Sequence, residues 1–375
     1  MTTTPFALPD YARTPDDMLL DAYDFTLPES HIARRPLTER TASRLLHVPA
    51  EGPGHHRMFT DLLDLLDEGD CLVMNDTAVL PARLLAEKAE TGGKVEVLLC
   101  REDDDGSWVA LLKASKKPKP GTRLVFGGDL PVSEHFFATV EGRVDDEDGC
   151  WRLHFEGDAR KFALHAGHVP IPPYFERDDD DDDKERYQTV YANPNKVGAA
   201  AAPTAGFHFD DAFLQKLDDK GVQRAMVTLH VGPGTFMPVR ADHLADHEMH
   251  AEPWELSSAV AEKLNATRKA GKRIIAVGTT SLRTLETAVD DNGVFYEGRG
   301  LSRIFLHPGK PIRSVDALFT NFHLPKSSLL MLVAALVGRE RIVAAYDEAI
   351  AHNYRFYSYG DASLLEVNPA VRRLI

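Results

Sequence analysis

Two histidines stand among unusually small residues. His208 closes the run Gly198-Ala-Ala-Ala-Ala-Pro-Thr-Ala-Gly-Phe-His, and His230 lies in Thr228-Leu-His-Val-Gly-Pro-Gly-Thr-Phe236. Small side chains let a ligand approach the main chain, glycine permits positive φ, and imidazole titrates near neutral pH. Such a pair suits proton transfer to or from a bound molecule, with Thr204, Gly206, Gly232 and Thr235 as substrate contacts in the same loops. A third histidine, His323, follows in Asn321-Phe-His-Leu-Pro-Lys326, bringing Asn321 and Lys326 with it. Gly278-Thr279-Thr280-Ser281 stands where an apolar strand passes into a helix; the free N–H groups of a helix start face anions and carboxylates. It reads equally well as a capped helix. Asn75-Asp76-Thr77 ends a short apolar strand, a place for site residues or for a plain Asx-turn. Each histidine taken singly also reads as a satisfied structural residue.

Two other readings are set aside. Gly232-Pro-Gly234 follows a strand, but Pro238 comes within four residues. No helix can open there to meet a pyrophosphate, so it is no dinucleotide fingerprint. His243, His247 and His250 with Glu248 and Glu252 lack the H-E-x-x-H order, and no metal is expected.

The elements that hold these residues follow from periodicity. Phe213, Leu214 and Leu217 mark an amphipathic helix from Asp210 to Lys220, and Ala225–Leu229 a buried strand. Cys71–Met74, Arg273–Val277, Leu301–Leu306 and Asp316–Thr320 read as further strands. Helices are expected over Pro28–Arg35, Phe59–Leu66, part of Trp254–Lys269, Leu282–Val289, the apolar run Leu329–Val337, and Arg341–Ala351. From Arg83 to Phe155 short strands follow one another without helices, as in a small antiparallel β-barrel. The expected fold is therefore α/β: a mixed α/β main domain, residues 21–82 and 156–375, with an inserted antiparallel β-barrel domain, residues 83–155. Residues 1–20 read as a disordered extension, and the aspartate run Asp178–Asp183 as a disordered surface loop.

The 375 residues carry 43 Lys+Arg against 58 Asp+Glu, a net charge of −15, which argues against indiscriminate nucleic-acid binding. Lys113, Lys116, Lys117 and Lys119 nevertheless cluster in the barrel region and could meet a phosphate backbone; a solvated loop is the plainer reading. Cys71, Cys100 and Cys150 form no framework, and the N-terminus has no secretory pattern, so a cytoplasmic location is expected with no membrane contact.

Taken together the motifs resemble one family. Tyr23-Asp-Phe25, Asn75-Asp-Thr77 with Pro81-Ala-Arg83, Thr91-Gly-Gly-Lys-Val-Glu-Val97 and Arg186-Tyr-Gln-Thr-Val-Tyr-Ala192 occur in order. Ala202-Pro-Thr-Ala-Gly206 with His208-Phe209, Thr228-Leu-His-Val-Gly232, Gly278-Thr-Thr280, Asn321-Phe-His-Leu-Pro-Lys-Ser327 and Gly360-Asp-Ala362 complete the series. From Tyr23 to about Leu365 the chain is similar to the S-adenosylmethionine:tRNA ribosyltransferase-isomerase (QueA) family of queuosine biosynthesis. Pro233, Phe207 and Ser328 stand where that family usually has Ala, Leu and Thr.

The resemblance implies transfer and isomerisation of the ribosyl part of S-adenosylmethionine onto 7-aminomethyl-7-deazaguanine (preQ1) at the wobble position of a tRNA with a GUN anticodon. Epoxyqueuosine, adenine and methionine are the products. S-adenosylmethionine is a consumed substrate, no cofactor is expected, and the protein is expected to be a monomer. His208, His230 and His323 are then the acid/base candidates. Lys94, Arg83 or Lys326 would hold the methionine carboxylate or steer phosphate, and Glu96 or Asp76 would pair the aminomethyl ammonium. Lys113–Lys119, Arg34-Arg35 and Arg299–Arg313, with Arg303 and Lys310, are the candidate tRNA contacts. The alternatives are an S-adenosylmethionine-dependent RNA methyltransferase, which would want a glycine-rich nucleotide loop, and a non-catalytic RNA-binding module, which would want net basic charge.

Overall fold

The structure is a computed structural model that describes residues 5–128, 130–144, 149–232, 239 and 241–371. In chain order, β1 (Pro5–Phe6), β2 (Arg44–Val48), β3 (Gly54–Met58), α1 (Leu62–Leu65), β4 (Cys71–Asn75) and β5 (Ala78–Val79) come first. Then come β6 (Arg83–Lys88), β7 (Lys94–Glu102), β8 (Trp108–Lys113), β9 (Arg123–Phe126), β10 (Phe136–Arg143) and β11 (Cys150–Phe155). Next are α2 (Ala159–Ala166), α3 (Asp181–Arg186), β12 (Val197–Ala199), α4 (Asp211–Asp219), β13 (Gln223–Leu229), β14 (Glu252–Leu256) and α5 (Ser258–Lys269). The chain ends with β15 (Ile274–Val277), α6 (Thr279–Thr287), β16 (Gly298–Ser302), β17 (Ala317–Asn321), α7 (Ser328–Val337), α8 (Arg339–Ala351) and β18 (Ala362–Glu366).

Ten strands make one mixed sheet in the order β1-β3-β2-β18-β17-β15-β4-β13-β14-β16. Its centre, β17-β15-β4-β13, is parallel. β4 and β15 are buried along their whole length, as strands covered on both faces must be, and read as apolar runs for that reason. α7 is apolar all round because it lies inside the molecule: Leu330 to Val337 are all buried. Ser327 caps it by accepting from Leu330 N. Gly338, at φ 94°, ends it where a Cβ would stand 2.8 Å from the Tyr11 ring.

β6–β11 close into an antiparallel barrel. Alternate residues point inward, among them Leu84 and Ala86, then Val95, Val97 and Leu99, and they meet Trp108, Phe126 and Leu153 in a core separate from that of the main sheet. Val197, the first residue of β12, packs onto this core and ties the barrel to the rest of the chain.

Several expectations are corrected. Residues 5–20 are no loose tail. β1 pairs with β3, Asp17 is buried against Arg339 at 2.8 Å, and Pro9 O accepts from the buried Arg341. Pro5 opens β1, and Pro15 stands at the first position of a 3-10 turn, Pro15–Met18, where its fixed φ is already suited. The aspartate run does pack. Asp180 and Asp183 form a capping box, and Arg177 holds the buried Asp183 through 2.5 and 2.8 Å contacts. Tyr359 donates to the same carboxylate. Acidic residues in the first turn of α3 suit its dipole. Around Pro28–Arg35 only a 3-10 turn forms, Glu29–His31, and the strand expected at Leu301–Leu306 is Gly298–Ser302 instead.

Candidate active site

The four central parallel strands run the same way, so their carboxyl ends open on one side of the sheet. Ligands of such sheets bind there. β4 ends at Asn75, β13 at Leu229 just before His230, β15 at Val277 just before Gly278, and β17 at Asn321. Every polar motif singled out along the sequence in this part of the chain therefore meets at one edge. A cleft opens where β15 and β17 end, reaching Val231 just past β13. Thr204, Thr279, Thr280, Asn321 and His323 line it, with Ser327 and Ser358.

The cleft floor is the start of α6. Gly278 adopts φ 87° to turn from strand to helix, and no side chain caps the helix. The first N–H groups of a nine-residue helix thus face the cleft, where an anion is favoured. Thr280 Oγ1 is buried and finds no hydrogen-bond partner among the described residues. A buried hydroxyl of this kind costs stability unless a ligand uses it.

Asn321 is fixed from three sides. Its amide donates to the main-chain oxygen of Tyr357 at 3.2 Å and to His208 Nε2 at 3.1 Å, and its oxygen accepts from Thr204 Oγ1 at 3.4 Å. His208 therefore keeps its lone pair on Nε2, and Nδ1–H donates to Ser43 Oγ at 2.6 Å. Burial, with Arg355 and Arg40 nearby, pushes its pKa down to about 3. Both ring nitrogens are committed inside the fold, so His208 positions Asn321. It lies behind the cleft and is not among its lining residues.

His323 lines the cleft. Its Nε2 is 3.2 Å from Thr320 Oγ1, its main-chain N–H donates to Tyr346, and burial lowers its pKa to about 3. His230 is half-buried beside the cleft, with Nδ1 2.7 Å from Thr77 Oγ1. Burial and Arg160 lower its pKa to about 4, against the opposing pull of Asp76. All three imidazoles are neutral at pH 7.

The remaining candidates divide sharply. Asn75 clamps strand ends together, donating to Leu229 O and accepting from the N–H groups of Leu229 and Thr77. Asp76 is buried and saturated by Thr228 Oγ1 at 2.7 Å and Lys196 Nζ at 3.2 Å. Gly206 is required by space: a Cβ there would stand 2.1 Å from Tyr191 Oη. Gly232 N donates to Glu252, whose other oxygen meets Arg283 in a fully buried pair. Thr235 lies outside the described residues. Lys326, at φ 54°, points away to Asp21 and Asp24. Arg83 is taken up by Glu96, Asp178 and Asp179 on the barrel side, and Lys94 is exposed on β7 with no hydrogen bond or ion pair among the described residues.

Lys113, Lys116, Lys117 and Lys119 are all exposed at the β8 end of the barrel, and no ion pair neutralises them among the described residues. Arg34 and Arg35 are not comparable: Glu29 and Glu176 hold the first, Asp180 the second. Arg303 donates to Met249 O and borders a cavity shared with Lys310 and Arg313.

Residues that sequence reasoning passed over complete the site. Tyr174 and Tyr357 stand in the cleft with ring centroids 4.6 Å apart, and Tyr174 Oη is 2.5 Å from Ser358 Oγ. Tyr357 has φ 72°, a strained conformation for a bulky residue, held because its carbonyl receives Asn321. The sequence signal was present in the aromatic run Tyr354 to Tyr359, but nothing in it distinguishes a cleft wall from a core.

A family model described as "Queuosine biosynthesis protein" matches residues 20–365. The curated S-adenosylmethionine:tRNA ribosyltransferase-isomerase of Anaeromyxobacter sp. (strain Fw109-5) is 50% identical over 356 residues, covering 93% of this chain and 99% of the relative. That of Anaeromyxobacter sp. (strain K) is 50% identical over 357 residues, with the same coverage. A crystal structure of S-adenosylmethionine tRNA ribosyltransferase from Thermotoga maritima is similar at 33% identity, with a TM-score of 0.49, over 92% of this chain and 99% of that one.

Proposed function

This chain belongs to the S-adenosylmethionine:tRNA ribosyltransferase-isomerase family of queuosine biosynthesis and is such a transferase; we propose that it acts on preQ1 at the wobble position of a GUN-anticodon tRNA, as a monomer in the cytoplasm, without a cofactor. It consumes S-adenosylmethionine and leaves epoxyqueuosine, adenine and methionine. The observation that supports this location for the chemistry is the cleft at the carboxyl ends of β17 and β15, bordered by Val231 after β13 and floored by the uncapped start of α6.

In this reading the methionyl carboxylate sits on the first N–H groups of α6 and accepts from Thr280 Oγ1. Tyr174 and Tyr357 flank a planar ring, of adenine or of the deazaguanine. The sulfonium acidifies the adjacent C5′ protons, and His323 is the base that takes one. Burial keeps its ring neutral but also weakens it as a base. His230, backed by Thr77, is the second proton-transfer group and assists adenine departure. Lys94 and Glu96, on the barrel, face the incoming RNA, Glu96 toward the aminomethyl ammonium. The four exposed barrel lysines meet phosphates, which reconciles a net charge of −15 with an RNA substrate. No helix among the described residues is long and apolar enough to cross a membrane.

The test is product analysis. The protein is incubated with S-adenosylmethionine and tRNA carrying preQ1, the small molecules are separated and the RNA is digested. Adenine, methionine and an epoxyqueuosine nucleoside in equal amounts are expected. S-adenosylhomocysteine in their place would mean methyl transfer and would end this reading.

A further inference from the structure

A second cluster of reactive side chains lies outside the residues that line the cleft. His56 on β3, Glu348 in the last turn of α8 and His352, which follows that helix, come together across the molecule. His56 Nε2 is 3.1 Å and His352 Nδ1 3.2 Å from the same oxygen, Glu348 Oε1. One donor atom from each of the three lies within 4.8 Å of the others, and the two imidazole rings are 4.5 Å apart. A tetrahedral zinc ion bonded at about 2.0–2.1 Å holds its ligand atoms roughly 3.3 Å apart, and two histidines with one glutamate are an established zinc donor set. Two of the three spacings already match; His352 Nδ1 also lies 3.0 Å from Glu348 O and turns from that carbonyl to meet the ion. Glu348 and His352 are at i and i+4, where two side chains of a helix meet, and His56 closes the set from a strand.

The surroundings point the same way. His56 Nδ1 is 2.9 Å from Tyr354 Oη, whose hydroxyl reaches toward Leu45 O at 3.5 Å. Tyr354 Oη and Glu348 Oε1 thus hold the two ring nitrogens of His56 in a fixed orientation, with Nε2 directed at the carboxylate. A neighbour that fixes the other ring nitrogen is also the usual companion of a metal-binding histidine. Arg44 stacks over Tyr354 at 4.1 Å and binds the carbonyls of His352 and Asn353, but its charge is matched by Asp361 at 3.0 Å. The Glu348 carboxylate is thus left for the histidines. Phe6 covers one side of His56, at 5.1 Å between rings, while His352 is about half exposed, leaving water room to complete a coordination shell.

We propose that His56, Glu348 and His352 bind a divalent transition metal, zinc being the best match, and that it fastens the end of α8 to β3. The site takes no part in ribosyl transfer. It anchors the start of the segment that runs on to Tyr357 and Ser358 in the cleft wall.

The full chain, without a histidine tag and stripped with a chelator, is titrated with zinc chloride by calorimetry. One equivalent binds, and zinc raises the melting temperature. His352→Ala, at an exposed position, and Glu348→Gln, close in volume, each weaken that binding by at least about tenfold and lose the zinc-dependent rise in melting. Magnesium chloride binds neither variant nor parent, since two imidazoles do not suit a hard cation. Absence of zinc binding by the parent overturns the proposal. So does a one-equivalent site unchanged in both variants, because zinc would then occupy other histidines.

Discussion

Replacing Thr280 by valine separates binding from stability. Thr280 Oγ1 is buried without a partner, so valine, nearly the same shape, removes an unsatisfied group from the folded protein. Relief of that desolvation stabilises the fold by roughly 1 kcal/mol or leaves it unchanged. Binding moves the other way. A hydrogen bond to a charged group contributes about 1.5–3 kcal/mol, which is about 10- to 150-fold in Kd. The N–H groups at the start of α6 remain, so affinity falls without vanishing. Calorimetric titration with S-adenosylmethionine in the absence of tRNA measures the loss of binding free of turnover, and urea unfolding measures the change in stability. Thr280→Ser keeps the hydroxyl and should bind as the parent does. A T280V protein that binds S-adenosylmethionine within about threefold of the parent, or that loses stability while T280S does not, refutes the assignment of the α6 start to the methionyl carboxylate.

Four further outcomes are expected. Glu252→Ala strands the buried Arg283, whose Nε and Nη2 have no partner among the described residues, and costs about 3–5 kcal/mol in urea unfolding; adding Arg283→Met should recover much of that, and no recovery would mean that the charge is compensated elsewhere. Gly206→Ala drives a methyl into Tyr191 and should cost about 1–3 kcal/mol, with a lower melting temperature and a displaced Thr204 seen as weaker substrate binding. His208 and His323 have folded pKa values lowered to about 3, so the unfolded chain takes up protons that the fold excludes: their contribution is fully present above about pH 6.5 and is lost as pH falls from there toward 3. His208→Asn should flatten that acid limb in unfolding curves taken between pH 7 and 5. Replacing Lys113, Lys116, Lys117 and Lys119 by Gln should weaken tRNA binding and reduce its salt slope by up to about four; an unchanged slope removes the loop from the interface.

Much of the main sheet was legible because its central strands are buried on both faces and read as unbroken apolar runs, as Cys71–Met74 and Arg273–Val277 do. The barrel was legible from alternation and turn spacing. β3 was not: Gly54-His-His-Arg-Met58 has no apolar face, and only pairing with β2 and β1 makes it a strand. The aspartate run misled for a related reason. Composition predicts repulsion, while Arg177 and Tyr359, one of them 176 residues away, decide the outcome. At the site, the loops were identified from residue type, since glycine, threonine and histidine at strand ends are a local signal. Their division of labour was not. That His208 faces inward, that Lys326 turns away to Asp21, and that Asp76 is already paired with Lys196 are facts of three-dimensional neighbours without a local trace.

The strand order also sets a schedule for synthesis. β2 and β3 leave the ribosome early, yet the parallel neighbour of β2 is β18, the last strand of the chain. The barrel uses only contiguous strands and can close as soon as Phe155 has emerged. At about 5–20 residues per second, the final strand follows some 10–45 s later. For that interval the β2 edge is an unprotected template for another chain. A nascent polypeptide of this family thus carries a finished barrel beside a half-built sheet, and loss of even the last dozen residues leaves the sheet split in two, whatever the state of the catalytic loops.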